Sequence, residues 1–250
     1  MPNAFNSLTP FLKDAMFKKH ILNCMTFSIL VLANMAFAAN SAPPKSIQLE
    51  YEVTRDGKPF AKVKESFMQD GKQYRIESVT KGIGVYALFG ERKLSSMGEV
   101  TAAGLKPLHF ELQQGDNANK MLLTDFDWAT NTLNMQVKGK VKAAVLEKGT
   151  QDLASYVYQL MFSPPTNDDV KVTLTTGKKL NQYNYKVTER GMVLKAAEAD
   201  YKTTHLVSVE SKDKKELWLA EAQYYLPVRY RLQDENGAIL EQTLTKLHVE

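Results

Sequence analysis

Residues 46–80 read SIQLEYEVTRDGKPFAKVKESFMQDGKQYRIESVT. Ile47, Leu49, Tyr51 and Val53 alternate with Gln48, Glu50 and Glu52, and the run stops at Asp56-Gly57. A period of two sends successive side chains to opposite faces, which describes a strand with one face in a core and one in water. The next run sets Ala61, Val63 and Phe67 against Lys62, Lys64 and Ser66 and ends at Asp70-Gly71. Asp-Gly between alternating runs signals a tight hairpin, because residues at the turn must take positive φ. The stretch therefore predicts a three-stranded antiparallel meander.

The same pattern continues through the rest of the chain. Alternating runs recur at 92–100, 105–112, 120–128 and 133–137, separated by Gly104, Gly115-Asp116 and residues 129–132. They resume at 170–175, 183–188, 193–197, 206–211, 216–220, 228–233 and 239–247, the last two joined by Asn236-Gly237. Short strands at intervals of about 8–12 residues with turn signals between them indicate an antiparallel sheet, sandwich or barrel. Twist accumulates over so many strands, so the sheet must curl. The expected fold is mainly β: a large curved antiparallel sheet, half-barrel or barrel-like, with one packed helix near 150–162.

That helix rests on TQDLASYVYQLMF, residues 150–162. Leu153, Tyr156, Val157, Leu160 and Met161 fall at i, i+3, i+4, i+7 and i+8, a helical apolar stripe. Thr150 can cap the first turn, Asp152 suits its positive end, and Pro164-Pro165 stops it. So short a helix is marginal alone in water, so its stripe must be buried against the concave face or across an open end of the sheet. A second helical turn is expected at 84–89, with Val85, Leu88 and Phe89 facing one way.

The N-terminal region carries a different kind of information. Lys18 and Lys19 precede an apolar run from Ile21 to Phe37, followed by the small-x-small pattern Ala36-Phe37-Ala38. This is the layout of a secretory signal peptide, with cleavage expected after Ala38 and Ala39 as the second choice. The run is interrupted by Asn23 and Asn34 and falls short of the ~20 apolar residues a membrane span needs. Residues 1–38 thus read as a signal peptide and 1–15 as an upstream extension, with translation starting at Met1 or Met16. Cys24 does not make a lipidation site, because Asn23 precedes it and most of the apolar core follows it. Cleavage removes this cysteine, the only one in the chain. It also removes Lys13, Lys18, Lys19 and Asp14, taking the net charge from +4 to +2. The mature chain is then a disulfide-free periplasmic protein without an integral membrane segment, with a flexible leader at 39–45 and one domain at 46–250.

Catalytic signatures are scarce. His109, His205 and His248 show neither an HExxH pattern nor i, i+4 spacing, so no metal ligands are expected among them. There is no Gly-x-Ser-x-Gly elbow and no cysteine nucleophile in the mature chain. Glu65, Glu77, Glu99 and Glu111 read as residues of a solvated sheet face, leaving a hydrolase with carboxylates from separate strands as the least favoured reading. Gly82-Ile-Gly84 lacks the third glycine of a phosphate loop and reads as a turn device. Lys212, Lys214 and Lys215 cluster at a hairpin turn, where charge discourages aggregation, and the modest overall charge gives no nucleic-acid footprint. No catalytic residue and no cofactor is expected. What remains is aromatic: Tyr156, Tyr158 and Phe162 on the helix, Trp128 and Trp218 in strands, and Tyr224-Tyr225 before Pro227. Such rings ordinarily build a core. Alternatively, a helical lid over a curved sheet encloses an apolar cavity lined by Tyr156, Leu160 and Trp218.

Several short strings in order resemble one family, the exported bacterial domain of unknown function 3108. They are Tyr51-Glu-Val53, Gly82-Ile-Gly84 with Tyr86 and Glu91-Arg92, Ala103-Gly-Leu-Lys-Pro107, and Phe126-Asp-Trp128. The series continues with Gln151-Asp-Leu-Ala-Ser155, Tyr158 and Leu160, Leu217-Trp-Leu219, and Leu226-Pro-Val-Arg229. Members typically carry a proline in the helix entry, where this chain has Leu153 or Ala154, a departure that shifts the helix start by up to a turn. The resemblance implies an exported, predominantly antiparallel β-domain and supplies no catalytic residues. The expected function is non-enzymatic: binding an apolar or lipid-like ligand in the concave sheet for envelope maintenance. The alternative is an interaction module that recruits an envelope protein through a sheet edge.

Overall fold

The turns come first, because they set the strand boundaries. Asp56 and Gly57 both take positive φ, 50° and 74°, as a two-residue hairpin turn requires. They separate β1 (Ser46–Arg55) from β2 (Lys58–Asp70). At the second Asp-Gly pair the division differs: Asp70 is the last residue of β2, and Gly71 with φ 57° opens the turn into β3 (Gln73–Gly82). These elements belong to a computed structural model that describes residues 43–115, 121–209 and 213–250. Met16, Cys24, the cleavage residues Ala38 and Ala39, and Asp116, Lys120 and Lys212 lie outside the described residues.

The first half of the chain continues as β4 (Arg92–Thr101), β5 (Gly104–Gln114), β6 (Leu122–Asp127), β7 (Thr132–Val137) and β8 (Lys140–Val145). The second half holds β9 (Gln151–Asp152), β10 (Asp169–Thr175), β11 (Leu180–Ala196), β12 (Ala199–Ser208), β13 (Lys214–Ala220), β14 (Leu226–Gln233) and β15 (Ile239–Val249). All fifteen form one sheet, ordered β8-β7-β6-β5-β4-β3-β2-β1-β15-β14-β13-β12-β11-β10-β9. The chain thus lays down one wing outward from β1 and returns through the other wing to β15. The two wings join where β1 pairs antiparallel with β15, Ile47 opposite Val249 and Leu49 opposite Leu247. The expected antiparallel curved sheet is present, with one exception: β9 pairs parallel with β10.

Three local expectations are corrected. The runs at 183–188 and 193–197 are one strand, β11, bent by register shifts at Val187/Glu189 and Arg190/Met192, with Gly191 at φ 74° between them. β8 has no sequence counterpart among the expected strands, because five of its six residues are exposed and it shows no buried face. The helix expected over 150–162 shrinks to α1 (Ser155–Gln159). Gln151 and Asp152 are drawn into β9, so the cap moves from Thr150 to Asp152. Asp152 Oδ1 accepts the backbone N–H of Ala154 and of Ser155, both at 2.8 Å, while the Asp152 N–H donates to Ser155 Oγ at 2.9 Å. That reciprocal box satisfies donors at the helix start. Thr150 instead donates its hydroxyl to the Glu147 carbonyl at 2.7 Å. Past Gln159 the backbone tightens to three-residue hydrogen bonds that carry Leu160, Met161 and Phe162 onward without regular helix.

The second expected turn is a 3₁₀ helix, Gly84–Phe89, but Val85, Leu88 and Phe89 are exposed. Only Tyr86 packs inward, its ring 4.5 Å from that of Phe60. At the leader, Pro44 is buried and the Lys45 N–H donates to the Glu250 carbonyl at 2.9 Å, so ordered structure begins within 39–45.

Pro43–Glu250 forms one unit. Its core fills the concave face and falls into two clusters. The larger includes Ile47, Leu49, Tyr51, Phe67, Phe110 and Leu133; the smaller holds Tyr185, Leu206, Leu217 and Leu219. The α1 segment joins them, with Tyr158 stacked 5.5 Å from Phe67 in the first and Leu160 buried in the second. Curling brings the far end of one wing against the other. Gln151 Nε2 donates to the Leu105 carbonyl at 2.9 Å, and Thr175 Oγ1 reaches Met135 Sδ at 3.4 Å. No ladder joins β8 to β9, so the sheet is an open curl whose wings meet through side chains.

Candidate functional site

Register places the inner-face residues in rows across the sheet. One row runs Leu247, Leu49, Glu65, Ser78, Leu94, Leu112, Leu122 and Val137. The next runs Leu244, Tyr51, Val63, Thr80, Arg92 and Gln114. On the other wing Gln242, Tyr230, Leu217 and Leu206 lie in line. Leu153, Ala154, Tyr156 and Val157 lie across these rows and leave a cavity of about 200 Å³. Its walls are mostly apolar, with Glu65, Ser78, Thr80, Arg92 and Gln242 as polar exceptions.

Glu65 is the least expected of these. Sequence reasoning assigned it to a solvated face with Glu77, Glu99 and Glu111. Residue 65 nevertheless shares parity with Ala61, Val63 and Phe67, so the pleat turns it inward. Ser78 Oγ donates to Glu65 Oε1 at 3.1 Å, and the Tyr158 hydroxyl donates to Oε2 at 3.4 Å. Burial raises the Glu65 pKa, against the lowering effect of those two hydrogen bonds and of the Arg92 charge. Arg92 is pulled down by the same cause, loss of water around its charge, with Glu65 opposing. Among the described residues the Arg92 side chain has neither a hydrogen bond nor an ion pair. The other three carboxylates meet solvent or surface cations. Glu77 pairs with Arg75, Glu99 with Lys106 and Glu111 with His109.

A second, more open cleft of about 470 Å³ is its neighbour, since Arg92 and Leu153 line both. Its floor is Leu112, Leu122 and Val137, with Gln114 at one end. Lys138, Thr176 and Lys178 come from the β7–β8 turn and the β10–β11 turn, brought together by the curl.

The three residues expected to line a cavity separate. Tyr156 lines it, and burial with the nearby Tyr185 and Tyr230 raises its hydroxyl pKa well above the ordinary value. Leu160 is buried in the smaller core cluster and does not reach the cavity. Trp218 does not line the cavity; it is buried as a member of the larger core cluster, in the row Thr243, Arg229, Trp218 and His205. Its neighbour Leu217 takes the inward position, because adjacent strand residues face opposite ways. The Trp218 ring stacks 4.3 Å from His205, and Arg229 lies over it at 5.7 Å.

The histidines hold separate partners. His109 sits between Asp125 at 2.7 Å and Glu111 at 2.9 Å; burial opposes its charge, but these carboxylates outweigh it and raise the pKa. His205 accepts or donates to Thr188 Oγ1 at 2.8 Å and Glu216 Oε2 at 3.2 Å, and burial lowers its pKa. His248 pairs with Glu250 at 2.8 Å. Among the described residues no group of three or more His, Cys, Asp or Glu side chains could hold a metal.

Beneath the α1 entry lies a second buried carboxylate. Ser96 Oγ donates to Asp152 Oδ2 at 2.6 Å, and Tyr74 shares a hydrogen bond with Ser96 at 3.1 Å. Burial raises the Asp152 carboxyl to about 6 despite these bonds. Asp152 does not line the cavity, so its role is to hold α1 against β4 and β9. The arrangement as a whole offers partly open space in which apolar side chains surround a few fixed polar groups, which suits binding.

The model for a family described as a protein of unknown function, DUF3108, matches residues 50–245. The chain belongs to this family. The DUF3108 match begins in β1 and ends in β15, so it takes in both wings and the walls of both cavities. A solved structure of a hypothetical protein from Chlamydia trachomatis is also similar, at 7% identity over 78% of this chain and 85% of that chain, with a TM-score of 0.32. No curated protein matches. Among the described residues of this DUF3108 protein no helix is long and apolar enough to cross a membrane.

Proposed function

We propose that this DUF3108 protein is an exported, periplasmic, non-enzymatic binding protein that holds an apolar or lipid-like ligand inside its curled sheet, in the service of envelope maintenance. The observation that carries the reading is the space between α1 and the concave face, about 200 Å³, continued by the cleft of about 470 Å³. Ligand sites typically enclose ~300–1,000 Å³ behind mostly apolar walls with a few placed polar groups. The first space falls below that range and the cleft falls within it. The signal-peptide layout and the cysteine-free mature chain support the compartment. Native mass spectrometry and lipid extraction of protein purified from periplasm test the reading. A co-purifying apolar compound supports it, and protein that emerges cleanly ligand-free refutes it.

One observation favours a second reading, recruitment of an envelope protein through a sheet edge. β8 is an edge strand with its outer backbone groups unpaired, and Val141 and Val145 are exposed. Such an edge accepts a partner strand by β-augmentation. Photo-crosslinking in cells from position 141 should capture one partner if this edge is used; absence of any specific product counts against it.

A further inference from the structure

The cleft between the wings carries an unusual balance of charge. Its described lining includes three cations, Arg92, Lys138 and Lys178, and no carboxylate. None of the three has an ion-pair or hydrogen-bond partner among the described residues. Among the described residues the acid that acts on Arg92 is Glu65, which lines the neighbouring cavity with it. Arg92 is half-buried at the edge of an open cleft, and a guanidinium there with no protein partner can give a carboxylate or phosphate oxygen charge-assisted hydrogen bonds. The floor beneath the cations is apolar, Leu112, Leu122 and Val137, and leads past Leu153 toward the enclosed cavity.

Gln114, at the end of the cleft, donates through Nε2 to the Phe89 carbonyl at 3.3 Å. This fixes the 3₁₀ turn next to the cleft, with Val85, Leu88 and Phe89 at 71%, 87% and 71% exposure. A free inorganic anion has no use for such a floor, whereas an amphiphile has.

We propose that the cleft binds an anionic amphiphile, its carboxylate or phosphate head held by Arg92, Lys138 and Lys178 and its chain laid over Leu112, Leu122 and Val137 toward the cavity under α1. The inference rests on the apolar-ligand reading above and specifies its head group. The head could belong to a fatty acid or to a phosphorylated lipid, since both present the same oxygens to the same cations.

The test is calorimetric titration of the mature protein with laurate, dodecyl phosphate, dodecanol and inorganic phosphate, each below its micelle concentration. The anionic amphiphiles should bind about tenfold or more tightly than dodecanol, the size of effect expected of a charge-assisted hydrogen bond from the half-buried Arg92. Raising salt should weaken the anions and leave dodecanol unchanged. The double variant K138Q/K178Q, altered only at exposed turns, should narrow the gap between laurate and dodecanol about threefold or more. Arg92→Gln should close most of it, with a melting curve to show that the variant folds. Which of laurate and dodecyl phosphate binds more tightly separates the two sources of the head. Equal binding of dodecanol and laurate, or inorganic phosphate binding as tightly as dodecyl phosphate, overturns this inference and leaves the apolar-ligand reading standing or not on the extraction result. Failure of every twelve-carbon compound to bind removes both.

Discussion

Replacing Asp152 with Asn removes one buried charge while keeping its geometry. In the native protein Asp152 is fully buried, with Oδ1 accepting two backbone N–H groups and Oδ2 accepting from Ser96. Those bonds favour the ionised form and burial disfavours it; burial wins and takes the carboxyl from 3.8 to about 6. The folded state therefore keeps its proton to higher pH than the unfolded chain does. Stability from this group is fully present below about pH 4, falls between about pH 4 and about pH 6, and stays low above that. A shift of roughly two units at ~1.4 kcal/mol each makes the loss about 3 kcal/mol. Asn at 152 still offers Oδ1 to the two amides and can donate from Nδ2 to Ser96, without a charge to desolvate. Urea unfolding followed by the fluorescence of Trp128 and Trp218 should therefore show the variant gaining on the wild type by about 3 kcal/mol between about pH 4 and about pH 8. A difference that stays flat with pH, or one in which the wild type gains, would refute the argument, because the hydrogen bonds would then hold the charge without penalty.

Other outcomes follow from particular contacts. Tyr158→Phe keeps the stack on Phe67 and loses only the hydroxyl donated to Glu65, so it should cost about 1 kcal/mol in chemical unfolding; a loss of several would mean the ring had moved. Trp218→Ala uncovers one side of His205, whose pKa is held down by burial, so its NMR titration should move up toward 6.5; no movement shows that Trp218 is not what excludes water. Protein recovered from periplasm should begin at Ala39 or Asn40 by N-terminal sequencing, and a chain still beginning at Met1 or Met16 contradicts the signal-peptide reading.

Much of the fold is legible because it follows from local chemistry. Alternation in β1 and β2 depends on neighbours two residues apart, and the turns at Asp56-Gly57 and Asn236-Gly237 are marked by residues that tolerate positive φ or tight turns. β8 escaped because an exposed edge strand has no buried face to alternate with. The helix was overextended because a helical stripe shows which residues face a core, and does not show whether the first of them pair with a distant strand. Asp152 reads equally as a first-turn acid or as a β9 residue until β10 is placed beside it.

The candidate site divides the same way. The parity that buries Glu65 and Arg92 is present in the sequence, Glu65 in step with Val63 and Phe67 and Arg92 in step with Leu94. Charge alone argued for the opposite assignment and concealed it. Leu217 and Trp218 have opposite parity, and Leu217 is the one that lines the cavity.

By itself the sequence determined an antiparallel curved sheet and the presence of one apolar-striped helix between 150 and 162, though not its length, since each is a pattern among residues close together in the chain. Only the tertiary structure decided that β1 pairs with β15, that the wings close through side chains, and that Arg92 meets Lys138 and Lys178 across a cleft. Those placements depend on how twist accumulates over fifteen strands, a property of the whole sheet that no short window of sequence contains.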